Sequence, residues 1–221
     1  MKLMQQSTIN LSIPKDALAQ MVPAEFKGKI HVIENVSDAR AALRYLSRCP
    51  IVGFDTETRP SFRKGCTFKV SLIQISTDDS CFLFRINKIG FMEPLREFLA
   101  SDAVVKVGLS VKDDFHGLHK IAEFEPAGFV ELQDYVHQFG ITDASLTKIY
   151  GIVFGQRISK GQRLTNWEAA ELTVPQQHYA ALDAWACLNI YRYLSSGAFR
   201  PEDSPYIVVP EEDANATQSV E

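Results

Sequence analysis

The sequence predicts an α/β fold: a mixed β-sheet, its early strands antiparallel and its later ones parallel, flanked by helices. Three observations carry this. Residues 51–57, Ile-Val-Gly-Phe-Asp-Thr-Glu, form a β-rich, largely apolar run of the kind found in a strand covered on both faces. Residues 67–76 and 81–86 read as two further strands, and the Thr-Asp-Asp-Ser between them has turn chemistry, which predicts a hairpin. Beyond residue 90, apolar runs alternate with helical patterns, as they do where helices cover a sheet.

The elements follow in order. Residues 1–26 contain Pro14 and Pro23 and are read as an N-terminal extension, and residues 27–199 as one domain. Ile30 to Ile33 is a short strand. A helix starts near Ser37, with Asp38 in its first turn and Ala41, Leu43 and Leu46 following, and Pro50 ends it. After the 51–57 strand comes a polar loop with Arg59, Arg63 and Lys64, then the hairpin. A helix over about 92–100 leads to a strand from Ala103 to Leu109. Lys112 to Ile121 is helical in pattern, and Phe129 to Leu132 is a short strand. Helices follow near 133–139, 145–151 and 174–195. The last has the clearest ends: Thr173 and Gln176 fit a capping box, Pro175 is tolerated in the first turn, and Gly197 suits the C-terminal cap. Residues 200–221, acidic and proline-containing, are expected to be a disordered tail.

Charge and cysteines narrow the classes. The formal charge is −4, yet residues 202–221 hold six acids and no Lys or Arg. Without those six of the 27 acids, 21 remain against 23 basic residues, so the acidity belongs to the tail and a polyanionic partner is permitted. The four cysteines are scattered, with no C-x-x-C pair, and read as reduced thiols. There is no signal-peptide h-region and no apolar run near the ~18 residues a membrane helix needs. The expectation is a cytoplasmic protein without membrane contact.

The chemistry is concentrated in carboxylates placed among apolar residues. Asp55 and Glu57, two apart on a strand, project from one face. Tyr179 and Asp183, four apart on a helix, share another, in a stripe with Ala186, Cys187, Ile190 and Leu194. Such carboxylates are costly unless paired, protonated or bound to a cation. For Asp55 and Glu57 the alternative is a charged edge strand; for Asp183 it is an Arg or backbone partner. A cation held by hard oxygen ligands would be Mg²⁺ or Mn²⁺ rather than zinc. Asp113 and Asp114, at a strand-to-helix junction, read either as acids complementing the helix dipole or as further members of the set.

Together, Phe54-Asp55-Thr56-Glu57, then an aspartate with Leu118 four residues later after Val107-Gly108, then Tyr179-x-x-x-Asp183, resemble the DEDDy 3′–5′ exonucleases of the ribonuclease H-like superfamily. The branch is that of ribonuclease D and the Werner-syndrome exonuclease domain. Val70 to Ile75, Phe129 to Asp134 and Asn166-Trp167-Glu168 support it, and the resemblance spans about residues 28–196.

The resemblance implies a ribonuclease H-like sheet and hydrolysis of DNA or RNA from the 3′ end. Two divalent cations, Mg²⁺ or Mn²⁺, would assist, and nucleoside 5′-monophosphates would leave. Asp55 would bridge both ions, and Glu57 and Asp183 would ligate one. Asp114 would act mainly through coordinated water, with Asp113 as the fallback. Tyr179 would orient the attacking water, since a phenol of pKa near 10 is a poor base at neutral pH. Replacing the histidine of the DEDDh branch, this tyrosine leaves His178 as a flanking residue, about 100° away on the helix. Lys160 and Arg163, with Arg157, could meet phosphates or form a solvated loop. Phe54 and Thr56 are candidates for touching the terminal nucleotide through side chain or backbone, and Leu72, Gln74 and Trp167 are packing or support groups. The ribonuclease D branch carries helical C-terminal domains; here an acidic stretch follows, a layout closer to the Werner-type domain. A catalytically silent nucleic-acid-binding module, or a phosphodiesterase for short oligonucleotides, is the competing reading. No protein partner is implied.

Overall fold

The computed structural model describes residues 9–63, 65 and 67–209. Lys64, Cys66 and the stretch 210–221, which holds most of the predicted acidic tail, lie outside the described residues. The strands are β1 (Val22–Pro23), β2 (Lys29–Ile33), β3 (Ile51–Thr58), β4 (Val70–Ser76), β5 (Ser80–Phe84), β6 (Val105–Gly108), β7 (Phe129–Glu131) and β8 (Gln156–Arg157). The helices are α1 (Lys15–Ala19), α2 (Val36–Leu46), α3 (Ile86–Ile89), α4 (Glu93–Ala100), α5 (Val111–His119), α6 (Leu132–Val136), α7 (Leu146–Phe154) and α8 (Val174–Ser195).

Six strands form one sheet in the order β2-β5-β4-β3-β6-β7. β3, β4 and β5 are antiparallel neighbours, whereas β3-β6, β6-β7 and β2-β5 pair in parallel. The hairpin and the later parallel strands are therefore as the sequence predicts, and β3 lies in the sheet interior. β1 and β8 make a separate parallel pair.

Strand alternation divides the sheet residues between two cores. Val52, Phe54, Ile73 and Ile75 pack under α2, α4 and α5, while Leu72, Leu83 and Val107 pack under α8. Helix α8 begins with the capping box of Thr173 and Gln176 and is followed by Gly197 in a left-handed conformation. Only one apolar stripe was expected on α8. In fact Ala180, Ala181, Leu182, Ala184 and Leu188 are buried as well, so the helix is enclosed on several sides.

The approach of α8 to the sheet depends on one glycine. A Cβ on Gly53 would lie 1.9 Å from the Ala184 carbonyl oxygen, a backbone atom that no rotamer change can move. With Gly53 and Ala184 in contact, Asp55 and Asp183 come to the same place.

Residues 9–26, read as an extension, are tied to the body. The Leu11 N–H donates to the Gly140 carbonyl at 2.7 Å, the Ile13 N–H donates to Asp143 Oδ2 at 2.8 Å, and both side chains are buried. The described part of the predicted tail is also ordered against the body: Leu11 bridges to Ile207, and the Val208 N–H donates to the Asn10 carbonyl at 2.8 Å. The two ends satisfy each other's backbone groups, a pairing over a sequence distance at which no local signal operates.

Gly53→Ala is expected to destabilise the fold by about 3 kcal/mol or more, because neither backbone can retreat without repacking. That corresponds to a fall of roughly 6–12 °C in Tm, read by calorimetry or circular dichroism.

Candidate active site

Asp55 and Glu57 leave the same face of β3 near its C-terminal end, beneath α8. Asp183, one residue before the Ala184 contact, meets them from the helix. One carboxylate oxygen from each of these three residues lies within 4.8 Å of the other two. Asp55 and Glu57 are half-buried, and Asp183 is buried at 8% exposure. Its Oδ1 is inaccessible and has no hydrogen-bond partner. Three clustered acceptors with an orphaned buried oxygen fit a hard divalent cation, which would supply the missing charge and coordination.

Asp114 joins the cluster from the first turn of α5. Its Oδ1 accepts a hydrogen bond from the Thr56 hydroxyl, whereas Asp113 is exposed. Asp114 is not within the 4.8 Å group of three, so it borders that group rather than closing it.

A feature the sequence reading did not single out fixes this turn. Ser110, at the start of α5, has φ 61°, the one positive φ among the described non-glycine residues. The Glu131 carboxylate at the end of β7 accepts the Ser110 N–H at 2.9 Å, the Val111 N–H at 2.8 Å and the Gln133 N–H at 3.1 Å. A single carboxylate thus holds the left-handed residue from which the Asp114 helix springs. Local sequence carries no sign of it, since Glu131 lies 21 positions from Ser110.

Burial pushes all four acids toward their protonated forms, and neighbouring carboxylates push Glu57, Asp114 and Asp183 further. Burial raises Asp55 to about 7, against a lowering by the Thr56 backbone N–H. Glu57 is raised to about 10 by burial and then by Asp55, Asp183 and Asp114, with Arg163 opposing. Asp114 is raised to about 8 by burial and by Asp55, with the Thr56 hydroxyl opposing. Asp183 is held well above the usual carboxylate range by burial and Asp55, although Tyr179 and Lys160 favour its charge. Tyr179 is itself raised, by burial and by the Asp183 and Glu57 charges. Its phenol therefore stays neutral across the ordinary pH range.

A cleft of about 400 Å³ opens onto the cluster, lined by Asp55, Asp183, Tyr179, Lys160, Arg163 and the residues of the α7 N-terminus. Lys160 and Arg163 are exposed at its rim. Trp167 is fully buried with its ring centroid 6.1 Å from that of Tyr179, a support for the tyrosine. Gln74, opposite Asp55 in the β3-β4 register, is fully buried with both amide atoms unpartnered.

Three sequence expectations need correcting or narrowing. The Phe54 ring cannot touch a substrate: it is fully buried on the opposite sheet face, edge-to-face with Phe129 at 5.1 Å, which leaves only its main chain available. The Thr56 hydroxyl is directed to Asp114, not to the cleft. Arg157 does not line the cleft; its Nε donates to the Met21 carbonyl at 3.1 Å. His178 is exposed and also absent from the cleft wall.

Residues 30–197 match the profile of the 3′–5′ exonuclease domain family. The mouse bifunctional 3′–5′ exonuclease/ATP-dependent helicase WRN is 30% identical over 197 residues, covering 83% of this chain; the chain spans 14% of that relative's length. The solved Aedes aegypti Nibbler EXO domain superposes with a TM-score of 0.70 at 22% identity, covering 81% of this chain and 96% of that one. Trypanosoma brucei RNase D in complex with RNA U12 superposes at 0.67 and 18% identity, covering 76% and 63%. The shared fold, a six-stranded mixed sheet flanked by helices, is the ribonuclease H-like one that the sequence motifs implied. A match over most of its length, spanning the elements that carry the acidic cluster, makes this chain a member of the 3′–5′ exonuclease family.

Proposed function

We propose that this protein hydrolyses DNA or RNA from the 3′ end with two divalent cations, Mg²⁺ or Mn²⁺, releasing nucleoside 5′-monophosphates. The observation that carries the cation requirement is the Asp55-Glu57-Asp183 cluster with its unpartnered, buried Asp183 oxygen. That a related RNase D was solved with RNA supports a nucleic-acid substrate.

In this reading Asp55, Glu57 and Asp183 would hold the cations, with Asp55 central to the set and Asp114 contributing from its border. When bound, the cations would activate water as Lewis acids and offset charge on the phosphoryl oxygens. The chain's own groups do the rest. Tyr179, neutral and beside Asp183, accepts or donates a hydrogen bond and so orients water instead of deprotonating it. Lys160 and Arg163 attract and align the phosphates at the cleft rim, contacts that carry no sequence information. The Thr56 hydroxyl and the Glu131-held turn keep Asp114 in place. In the reaction the water oxygen bonds to the terminal phosphorus and the P–O3′ bond breaks. The shortened strand keeps a 3′-hydroxyl.

The test is degradation of 3′-recessed and single-stranded DNA and RNA, labelled at the 5′ end, in Mg²⁺ or Mn²⁺. Asp55→Ala should lower kcat by at least about 10³-fold, the loss of several kcal/mol of charge stabilisation. Tyr179→Phe should lower it about 10–100-fold with little change in KM, as expected for lost orientation. No shortening from the 3′ end in either metal would overturn the enzymatic reading, and activity surviving Asp55→Ala would overturn the site.

Stability should follow the same acids. Their folded-state pKa values lie above the unfolded ones, so the metal-free fold has their full contribution below about pH 4; Asp55 and Asp114 lose theirs as pH rises through about 7–8 and Glu57 as it rises toward about 10. Metal binding competes with those protons. Mn²⁺ at one fixed concentration, 100 times its Kd at pH 8, should therefore raise Tm by about 5–10 °C at pH 8 and by less at pH 5.5, read by scanning calorimetry. A shift independent of pH would contradict the cluster as the binding site.

A further inference from the structure

The active-site cleft does not end at Lys160. A second hollow of about 440 Å³ adjoins it, and Ser145, Thr147, Ile158, Ser159 and Lys160 line both. Its outer wall is made by Lys15, Leu18 and Ala19 of α1, together with Lys148 of α7 and Arg157 of β8. Four of its lining residues are cations and none is an acid. Lys148 is already paired, its Nζ 2.6 Å from Asp143 Oδ1, and Asp143 Oδ2 also receives the Ile13 N–H that anchors the start of α1. Lys15 is exposed, and Arg157 uses only its Nε, on the Met21 carbonyl.

A 3′-terminal nucleotide seated at the acidic cluster must let the rest of its strand out of the cleft. Among the described residues, two hollows share lining residues with that cleft. The other, of about 450 Å³, shares Ser159 and Tyr179 with it and is lined by Glu25, Gln162 and His178, with no Lys or Arg. Phosphates at the ordinary spacing of a strand favour the wall with Lys15, Arg157 and Lys160, and are repelled by Glu25.

We propose that the substrate strand on the 5′ side of the reacting nucleotide leaves over α1, with Lys15 and Arg157 on its phosphates and Leu18 and Ala19 offering an apolar surface to a base. This rests on the exonuclease reading above and extends it to a further subsite. Residues 15–19 precede the 30–197 stretch that matches the family profile, so the Lys15 contact is a property of this chain's N-terminal segment and not of the matched domain. It also gives that segment a function beyond covering the core.

The experiment compares wild type with Lys15→Glu, Lys15→Arg and Glu25→Gln on a single-stranded oligonucleotide of about eight residues and on a dinucleotide. Hydrolysis is followed by KM and kcat; affinity for the octamer is followed by anisotropy in Ca²⁺ across a salt series. Lys15→Glu should weaken octamer binding about threefold to tenfold at low salt and reduce the log–log salt slope by about 0.7, one phosphate contact on a single strand. Dinucleotide turnover should stay as in wild type, Lys15→Arg should restore octamer binding, and thermal unfolding should be unchanged. Equal loss on dinucleotide and octamer, or no loss on either, would overturn the path. So would an octamer-specific gain of comparable size in Glu25→Gln with Lys15→Glu silent, which would put the strand on the other side. A wild type that shortens neither substrate would instead overturn the exonuclease reading itself.

Discussion

The contact between Gly53 and Ala184 is the constraint on which the site depends. A long helix cannot normally lie with its backbone against a strand, because the side chains of both elements stand between them. Here the strand gives up its side chain at Gly53, whose would-be Cβ position is 1.9 Å from the Ala184 carbonyl oxygen. The helix meets it with the Ala184 backbone itself, and Leu188 Cβ lies 3.2 Å from the same point. The next outward residue on the same strand face is Asp55, and the residue before Ala184 is Asp183. Two acidic motifs more than a hundred residues apart are thereby brought together, with carboxylate oxygens within 4.8 Å of one another. The other interactions refine that placement: the Thr173-Gln176 box sets where α8 begins, Trp167 backs Tyr179, and Glu131 sets the turn before Asp114.

Bringing the acids together has an electrostatic cost that the fold does not itself cancel. Burial raises each carboxylate first, and the neighbouring charges raise Glu57, Asp114 and Asp183 further. The compensation on the protein side is thin: a hydroxyl on Asp114, the tyrosine beside Asp183, and Lys160 and Arg163 at the rim. A cluster of this kind is poised for positive charge. That deficit, rather than the number of acids, is what distinguishes the site from an exposed acidic patch, where water would screen the repulsion.

Much of this was legible in the sequence because it rests on short-range periodicity. The Asp55-x-Glu57 and Tyr179-x-x-x-Asp183 spacings each define one face, and the β3 run and the capping box are local signals. For Phe54, offered as a contact through side chain or backbone, the period of two already points the ring away from Asp55, and the ring is in the opposite core. Asp113 and Asp114 differ by one step of a helix, which spacing to Leu118 suggested and burial now separates. What could not be read was set by distant partners. The Glu131 carboxylate reaches back some twenty residues to Ser110 and Val111. Lys106, charged and in a strand, is fully buried because its ammonium donates to the Ser101 and Phe98 carbonyls at the end of α4. The two ends of the described chain meet through Leu11 and Ile207, a pairing to which neither segment's composition points.

The central claim is that the cluster is built to hold cations, and anomalous diffraction from crystals soaked in Mn²⁺ tests it most directly. The account predicts two peaks roughly 3.5–4 Å apart, as in two-ion sites, with Asp55 between them, Glu57 and Asp183 on one side and Asp114 on the other. Peaks elsewhere on the surface, or none at Asp55 under conditions in which the protein degrades nucleic acid, would contradict it.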